Sequence, residues 1–359
     1  MINKIEIQGY KSIRGLELNL RPINVLIGAN GVGKSNFISF FKLVDNIYEQ
    51  RLENYTMKQG AENLLCFGSK TTDRIISRIE FDTNNAYTIA LQPTSSNSLF
   101  IESEWVEFCK TDKSWYQLSI SYNEKEGSIK ERGQGGGVPK YVSQYLKSFK
   151  LYHFHDTSEN ARLRTSAGLN DNLMLKEDGD NLPAFLYLLQ EKHPKHFKRI
   201  EHTIKSIAPY FERFELQPDR LNEERINLEW REKSQPDFLL NARHFSDGTI
   251  RFIALATLLM QPNLPEVIII DEPELGLHPV AITKLAGLIK KAAAKSQIII
   301  STQSVNLVSN FSPEDIITVD KKDNQSVFNN LDSAMLDRWL DDYSLGDLWQ
   351  KNMIDGQPF

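Results

Sequence analysis

The sequence predicts an α/β fold built around a mixed or parallel β-sheet. A short apolar run, Ile23 to Ile27, is followed by a glycine-rich loop and then by the apolar helix pattern of residues 36–44. A second run, Val267 to Ile270, is apolar throughout, as is typical of a strand buried on both faces of a parallel sheet. A third strand, Gln297 to Ile300, follows a helix pattern over residues 280–294, which gives the strand–helix–strand order of such a sheet.

The loop from Gly28 to Ser35 fits the phosphate-binding pattern G-x-x-x-x-G-K-[ST]. Its glycines let the backbone turn tightly, so that N–H groups face phosphate oxygens at a helix N-terminus. Lys34 adds positive charge against the β- and γ-phosphates, and the Ser35 hydroxyl is a ligand for Mg²⁺. We therefore predict that a nucleotide is bound by Asn30, Gly31, Val32, Gly33, Lys34, Ser35 and Asn36.

The segment before this loop, residues 2–27, predicts three short strands. Lys11 and Ser12 lie in the first turn, where they either reach the nucleotide's phosphates or ribose or belong to a solvated hairpin turn.

Composition excludes several classes of protein. The chain has 359 residues, 40% of them hydrophobic, which is enough for a large buried core. Only Cys66 and Cys109 are present, so neither a disulfide framework nor a cysteine zinc site is expected. The longest apolar stretch, Phe252 to Met260, is too short to span a bilayer. We expect a cytoplasmic protein whose net charge of −5 confines any DNA contact to a local basic patch.

The middle of the chain predicts added lobes. β-like runs between Arg74 and Tyr122 predict an antiparallel sheet of its own, and the glycine-rich residues 133–137 predict a mobile loop. A strand over residues 150–155 ends in two histidines and an aspartate, among which His155 and Asp156 are candidate metal ligands.

A helix pattern interrupted at Pro194 places basic residues opposite an apolar face. The basic residues are Lys195, Lys198, Arg199, His202 and Lys205. Such a face either binds DNA phosphates or is simply solvated.

Two carboxylates follow the apolar strand at Val267. Successive residues that leave a strand point in different directions, so Asp271 can face Mg²⁺ while Glu272 faces the water that attacks the γ-phosphate. Glu272 is therefore the predicted general base.

Together these motifs resemble the ABC-type ATPase heads of the RecF/SMC class, and more closely the bacterial stand-alone ATPases that open with GYKSI and NVLIGANGVGKSN. Phe245 to Thr249 resembles the ABC signature loop, with Asp247 in place of a glycine. Residues 271–274 resemble the Walker B motif and residues 275–279 the D-loop. His155 and Asp156 stand near the Q-loop position without its glutamine, and Gln303 stands at the position of the switch histidine.

The resemblance implies an ATPase head with a mixed or parallel core sheet, an inserted antiparallel β lobe and a helical lobe. Its core would be residues 1–44 and 240–359, with an insertion at 45–239 that is β-rich to about 150 and mostly helical beyond. It also implies ATP hydrolysis by Lys34, Glu272 and Gln303, in a homodimer whose Ser246 and Gly248 close over the nucleotide held by the other copy.

Relatives of this class often act with DNA or with a separately encoded nuclease or other effector, in DNA repair or anti-phage defence. We expect no nuclease domain in this chain and no coiled coil, because sustained heptads are missing. Two alternatives remain: a phosphotransferase acting on a small molecule, and an ATP-dependent scaffold that turns over slowly.

Overall fold

The computed structural model describes residues 1–82, 84–110, 114–235, 237–331 and 336–356. The chain divides into two compact units. Unit 1 comprises Met1–Phe149, Pro265–Ile269 and Ser296–Phe359, and unit 2 comprises Lys150–Leu264 and Ile270–Lys295. The predicted division into a core and an insertion at 45–239 stays a prediction.

The first part of unit 1 contains three strands, a long helix and then an antiparallel region. Its elements are β1 (Ile2–Tyr10), β2 (Ile13–Asn19), β3 (Ile23–Ile27), α1 (Lys34–Tyr48), α2 (Leu52–Gln59), α3 (Ala61–Leu64), β4 (Ile75–Phe81), β5 (Asn85–Pro93), β6 (Leu99–Cys109), β7 (Trp115–Glu124), α4 (Ile129–Arg132) and α5 (Gly137–Lys147).

The chain then passes into unit 2 within β8 (Phe149–Tyr152). The next elements are β9 (Ala167–Gly168), α6 (Leu182–Lys192), α7 (Pro194–Lys205), β10 (Phe211–Phe214), β11 (Arg225–Ile226), β12 (Glu229–Glu232), β13 (Leu239–Asn241), α8 (Asp247–Met260), β14 (Val267–Asp271) and α9 (Pro279–Ala292).

The chain ends in unit 1. Its last elements are β15 (Gln297–Thr302), α10 (Val305–Val308), β16 (Ile316–Lys322), β17 (Gln325–Asn330), α11 (Asp337–Leu340) and α12 (Leu345–Gln350). Short 3₁₀ turns occur at Gly133–Gly135, Arg162–Arg164, Ala242–His244 and Pro313–Asp315.

Two six-stranded sheets contain most of the strands. The first has the order β2-β1-β4-β5-β6-β7 and is antiparallel. The second has the order β17-β16-β3-β15-β14-β8, in which β3 pairs in parallel with both β15 and β16. The predicted three strands before the loop and the α/β class are confirmed. The antiparallel sheet is also present, but it is not separate, because β1 and β2 extend it.

The N-terminal α1 helix anchors unit 1 through aromatic packing. Its Phe37, Phe40 and Phe41 are buried. Phe40 meets Tyr10 of β1 edge-to-face at 5.6 Å, and Phe37 meets Phe328 of β17 at 5.5 Å between ring centroids. Such pairs add stability beyond the area they bury. The helix that follows the phosphate-binding loop thus packs against a unit 1 strand of each six-stranded sheet, β1 and β17.

The prediction of a mobile loop at residues 133–137 is wrong. This stretch forms a 3₁₀ turn and then begins α5. A Cβ added to Gly133 would lie 2.4 Å from the Cβ of Ser143. The glycine therefore permits close packing against α5 rather than providing freedom of movement.

Unit 2 contains two small sheets besides its helices, a three-stranded sheet β10-β12-β13 and the pair β9–β11. The predicted break at Pro194 is confirmed, since α6 ends at Lys192 and α7 begins at the proline. No helix in the described part of the chain is long and apolar enough to cross a bilayer.

The C-terminal segment packs on its own unit. Trp349 of α12 is 0% exposed, and its indole Nε1 donates to the carbonyl of Gly356. By contrast, Trp339 is 45% exposed.

We expect Trp349→Ala to lower the free energy of unfolding of the chain by about 3–5 kcal/mol, because it leaves a large cavity and an unpaired carbonyl. Trp339→Ala is the matched control and should change it by less than about 0.5 kcal/mol. Urea denaturation followed by far-ultraviolet circular dichroism measures both. Equal midpoint shifts in the two variants would contradict the packing described here.

Candidate active site

The backbone of the phosphate-binding loop adopts a conformation that requires glycine at three positions. Gly28, Gly31 and Gly33 have φ of 157°, 77° and 115°, a region that side-chain-bearing residues rarely adopt. Space is also restricted at Gly33, where an added Cβ would lie 1.9 Å from the Oγ of Ser326. At this position glycine is therefore needed for both conformation and packing.

The loop leads directly into α1. The helix begins at Lys34 without a side-chain cap, and its N-cap is Gly33 in the left-handed conformation. A helix N-terminus of this kind presents N–H groups and a positive dipole to an anion. Lys34 is buried, and its Nζ donates to the carbonyls of Gly28 and Ala29 at 2.6 and 2.8 Å. The ammonium group is thus held over the loop, while the Ser35 side chain lies at the exposed start of the helix.

Ser326 of β17 joins the loop to the β1–β2 turn. Its hydroxyl bonds to the Val32 carbonyl at 2.5 Å and lies 2.6 Å from the hydroxyl of Ser12. The Asn36 side-chain amide donates to Ser12 at 2.7 Å. The structure thus brings together Ser12 and Asn36, two of the predicted nucleotide-binding residues. Sequence analysis missed Ser326, because it lies outside every motif and about three hundred residues from the loop.

Lys11 lies beside these groups with φ of 49°. Its Nζ donates to the Ser39 hydroxyl of α1 at 2.8 Å. Burial lowers the pKa of the Lys11 ammonium, and the nearby charge of Lys42 lowers it further. A cleft of about 710 Å³ opens here, lined by Lys11, Ser12, Asn36, residues of 59–68 and Asn324. Lys11 and Ser12 thus form the β1–β2 hairpin turn and also line this cleft next to the loop.

Strand register places Gln303 at the same sheet edge as the loop. Thr302 at the end of β15 pairs with Ile27 at the end of the parallel strand β3. The next residues, Gln303 and Gly28, therefore leave neighbouring strands at their carboxyl ends, where parallel α/β sheets bind ligands.

Asp271 is the last residue of β14 and Glu272 follows it, and both carboxylates belong to unit 2. Residues 267–270 are buried, and both Asp271 and Glu272 are partly exposed. Glu272 has φ of 41°, which is uncommon for a residue of this type. Residues in such conformations are held there by their surroundings and cluster at functional sites.

The side chains of His155 and Asp156 both form hydrogen bonds with nearby protein groups. The Nε2 atom of His155 lies 2.7 Å from the carbonyl oxygen of Asp271, so this nitrogen donates and is not free to ligate a metal. Asp156 is exposed and accepts from the amide and hydroxyl of Ser158, which lower the pKa of its carboxyl. Among the described residues, no group of three or more histidine, cysteine or acidic side chains is arranged to hold a metal ion.

The signature-like loop begins α8. Ser246 is the N-cap, and its Oγ accepts from the Thr249 amide at 3.3 Å and lies 2.9 Å from the Thr249 hydroxyl. Gly248 packs on the D-loop-like segment, where an added Cβ would lie 2.4 Å from the carbonyl oxygen of Gly276. The two motifs therefore touch within unit 2.

Arg251 of α8 is a second residue that sequence analysis missed. It is buried, and its guanidinium donates to the carbonyls of Phe154 at 2.8 Å, His155 at 2.7 Å and Leu275. It thereby links the signature helix to the segment that follows β8 and to the D-loop-like segment. An arginine among the apolar residues of a helix was the one available signal.

The basic residues of α7 lie as predicted. Phe197, Ile200 and Ile204 are buried, and Lys195, Lys198, Arg199 and His202 are exposed. Lys205 is partly exposed and lies 3.6 Å from Glu212.

Comparison with known proteins identifies a family whose model covers the motifs described above. Residues 23–309 match the family described as "AAA domain, putative AbiEii toxin, Type IV TA system". No curated protein matches the chain.

Solved structures of SMC head domains are similar in fold. One, an Smc head bound to the C-terminal winged-helix domain of ScpA, has a TM-score of 0.54 at 16% identity, and the match covers 93% of this chain and 99% of that chain. A head domain with an extended coiled coil, bound to the C-terminal domain of ScpA derived from Pyrococcus furiosus, gives 0.49 at 16% identity, with coverage of 95% and 98%. The SMC head domain from Thermotoga maritima gives 0.43 at 14% identity, with coverage of 92% and 99%.

The family match extends over most of the chain, from β3 past Gln303, and so includes the phosphate-binding loop, the signature-like loop and the paired carboxylates. The family is one of AAA domains, which supports nucleotide binding and hydrolysis by this chain. The first of the SMC head domains shows that the fold is shared. The chain therefore belongs to this AAA-domain family and has the α/β fold of an ABC-type, SMC-like ATPase head.

Proposed function

We propose that this chain binds ATP with Mg²⁺, forms a homodimer around it, and uses slow hydrolysis to control DNA or a partner effector. The observation that carries the proposal is the phosphate-binding loop at the start of α1. Its three glycines have positive φ, and Lys34 is held over the loop by two backbone carbonyls. This combination of backbone and charge suits a triphosphate.

Each motif residue then has a proposed role. Residues 30–36 bind the phosphates, and Lys11 and Ser12 contact the nucleotide from the neighbouring cleft. The Ser35 hydroxyl and the Asp271 carboxylate offer the oxygen ligands that Mg²⁺ prefers, so they fit this ion. When bound, Mg²⁺ offsets the charge of the phosphates. His155 and Asp156 are weaker metal candidates, because their side chains already bond to other groups.

Glu272 is the proposed general base. It accepts the proton of the attacking water, and its unusual backbone angle of 41° fixes the direction in which its side chain leaves the turn. Gln303 donates its amide to the γ-phosphate but carries no charge. We therefore propose slow turnover, and a scaffold with little hydrolysis is the limiting case.

Ser246 and Gly248 are proposed to close over the nucleotide held by a second copy. The hydroxyl of Ser246 stands at the N-terminus of α8, which favours an anion. The alternative function, transfer of phosphate to a small molecule, has no use for such a loop.

The target of the ATPase is proposed from α7 and from the family. The exposed basic side chains of α7 suit DNA phosphates. The family description names a toxin of a type IV toxin–antitoxin system, and the resemblance noted above extends to DNA repair and anti-phage defence. We therefore propose a cytoplasmic role of this kind, in which the chain acts with a separately encoded nuclease or other effector.

We expect Lys34→Ala to weaken ATP binding by at least about a hundredfold, because it removes two charge-assisted hydrogen bonds, to the β- and γ-phosphates, that contribute about 1.5–3 kcal/mol each. Isothermal calorimetry measures the affinity. Lys140→Ala, which removes an exposed lysine from α5, is the control and should bind normally. Unchanged affinity in the Lys34 variant would contradict the assignment of the loop.

We expect Glu272→Gln to bind ATP normally but to hydrolyse it at least about a hundredfold more slowly, because a general base contributes 10²–10⁴. The ATP-bound dimer should then accumulate in light scattering. Glu266→Gln is the control, since this carboxylate precedes β14 instead of following it. Near-normal phosphate release by the Glu272 variant would mean that another group is the base.

The basic face of α7 is tested by reversing Lys198, Arg199 and Lys205 to glutamate. We expect wild-type DNA binding with ATP to fall steeply as salt rises, and the triple variant to lose it. Lys125, Lys140 and Lys147, reversed together, give the same change of net charge elsewhere and should bind DNA as wild type does. If the two triple variants bind equally, α7 is a solvated face.

A further inference from the structure

The signature-like loop carries a negative charge where the ABC signature has a glycine. Asp247 is the first residue of α8, and its side chain is 67% exposed. An acidic residue in the first turn stabilises a helix. It would also repel the γ-phosphate that the neighbouring Ser246 and Gly248 are proposed to meet. A bare carboxylate at this position would therefore oppose the proposed function.

Arg164 compensates for this charge. Its Nη2 atom lies 2.8 Å from Oδ1 of Asp247, and its side chain is only 5% exposed. The other nitrogen atoms of the guanidinium donate to backbone carbonyls. Nε donates to that of Thr157 at 2.9 Å, and Nη1 donates to those of Ala242 at 2.6 Å and Phe245 at 2.9 Å. Of these carbonyls, that of Ala242 lies just before the signature-like loop and that of Phe245 lies at its first residue.

The five donors of a guanidinium lie in one plane, so bonds in several directions fix its position. Lysine has no such fork, and an arginine held by three carbonyls cannot easily swing away from its carboxylate. The charge on Asp247 is therefore balanced by a fixed group rather than by mobile ions.

We propose that Arg164 is a positioning residue for the signature-like loop, which it fixes through the carbonyls of Ala242 and Phe245 while neutralising Asp247 so that the loop accepts an anionic phosphate. This inference rests on the proposed ATP-dependent dimerisation. It assigns a role to the 3₁₀ turn at Arg162–Arg164, which has none in the proposed chemistry.

The loop has further anchors that should keep Arg164 variants folded. Phe245 stacks on Trp230 with ring centroids 4.4 Å apart, and the Trp230 indole donates to the Asn241 carbonyl at 3.1 Å. The Thr249 hydroxyl lies 3.1 Å from that of Tyr210. Removal of Arg164 therefore loosens one side of the loop while the aromatic side stays packed.

The experiment compares Arg164→Ala with Arg162→Ala. Arg162 belongs to the same 3₁₀ turn, but it is 71% exposed and pairs with Asp178, so its removal takes away the same charge without touching the loop. A double variant, Arg164→Ala with Asp247→Gly, removes both members of the pair. Hydrogen exchange of residues 242–250 is measured without nucleotide, and ATP-driven dimerisation is measured by light scattering.

We expect amide exchange in residues 242–250 to be at least about tenfold faster in Arg164→Ala and unchanged in Arg162→Ala. The ATP concentration needed for half-maximal dimerisation should rise about tenfold or more in Arg164→Ala, because a unit charge several ångströms from a phosphate has at least this effect near a protein surface. The double variant should recover most of that loss. A purely structural arginine would not be rescued by removal of its partner.

Unchanged exchange in Arg164→Ala, or no recovery in the double variant, would overturn the inference. Absence of ATP-driven dimerisation in the wild type would overturn the proposed function instead. The two failures are distinguishable, because hydrogen exchange in the nucleotide-free chain does not depend on dimerisation.

Discussion

Unit 1 depends on how closely the backbone at Gly33 approaches two serine side chains. A Cβ at this residue would lie 1.9 Å from Ser326 Oγ and 2.8 Å from Ser12 Oγ. The β1–β2 turn, the phosphate-binding loop and β17 therefore meet at one point, which a larger residue would force apart. Since Phe37, four residues further on, packs against Phe328, the same approach also sets the position of α1. The nucleotide loop is thus built into the packing of the unit.

Unit 2 is stabilised differently. In it, two buried guanidinium groups each donate hydrogen bonds to several backbone carbonyls. Arg251 bonds to carbonyls at Phe154, His155 and Leu275, and Arg164 bonds to carbonyls at Thr157, Ala242 and Phe245. Loop carbonyls without regular secondary structure need such donors when they are buried. The His155 bond to Asp271 extends this network to the residue that follows the apolar strand. Three side chains, those of Arg164, His155 and Arg251, thereby fix the loops next to β8, α8 and β14.

The sequence predicted what is local and missed what is tertiary. The strand–loop–helix unit at Gly28, the apolar strand at Val267 and the break at Pro194 each depend on a short run of residues, and each is confirmed. Ser326, Arg164 and Arg251 bond to residues about eighty to three hundred positions away in the chain, so no local motif identifies their partners. The extension of the antiparallel sheet by β1 and β2 was likewise not predictable, because strand partners depend on the whole fold.

Backbone conformation gives an independent reason to assign function to Glu272. Left-handed residues other than glycine are usually asparagine or aspartate, which tolerate this region in turns. Among the described residues this accounts for Asp82, Asn97, Asn123, Asp323, Asn324 and Asn352. The remaining described residues with positive φ that are not glycine are Lys11, Gln50, Phe67 and Glu272. Lys11 and Phe67 line the cleft beside the phosphate-binding loop, and Glu272 is the proposed base. A turn that served only to connect β14 to the next segment could use asparagine or glycine at less cost. The left-handed backbone at Glu272 therefore supports the proposal that its carboxylate is the general base.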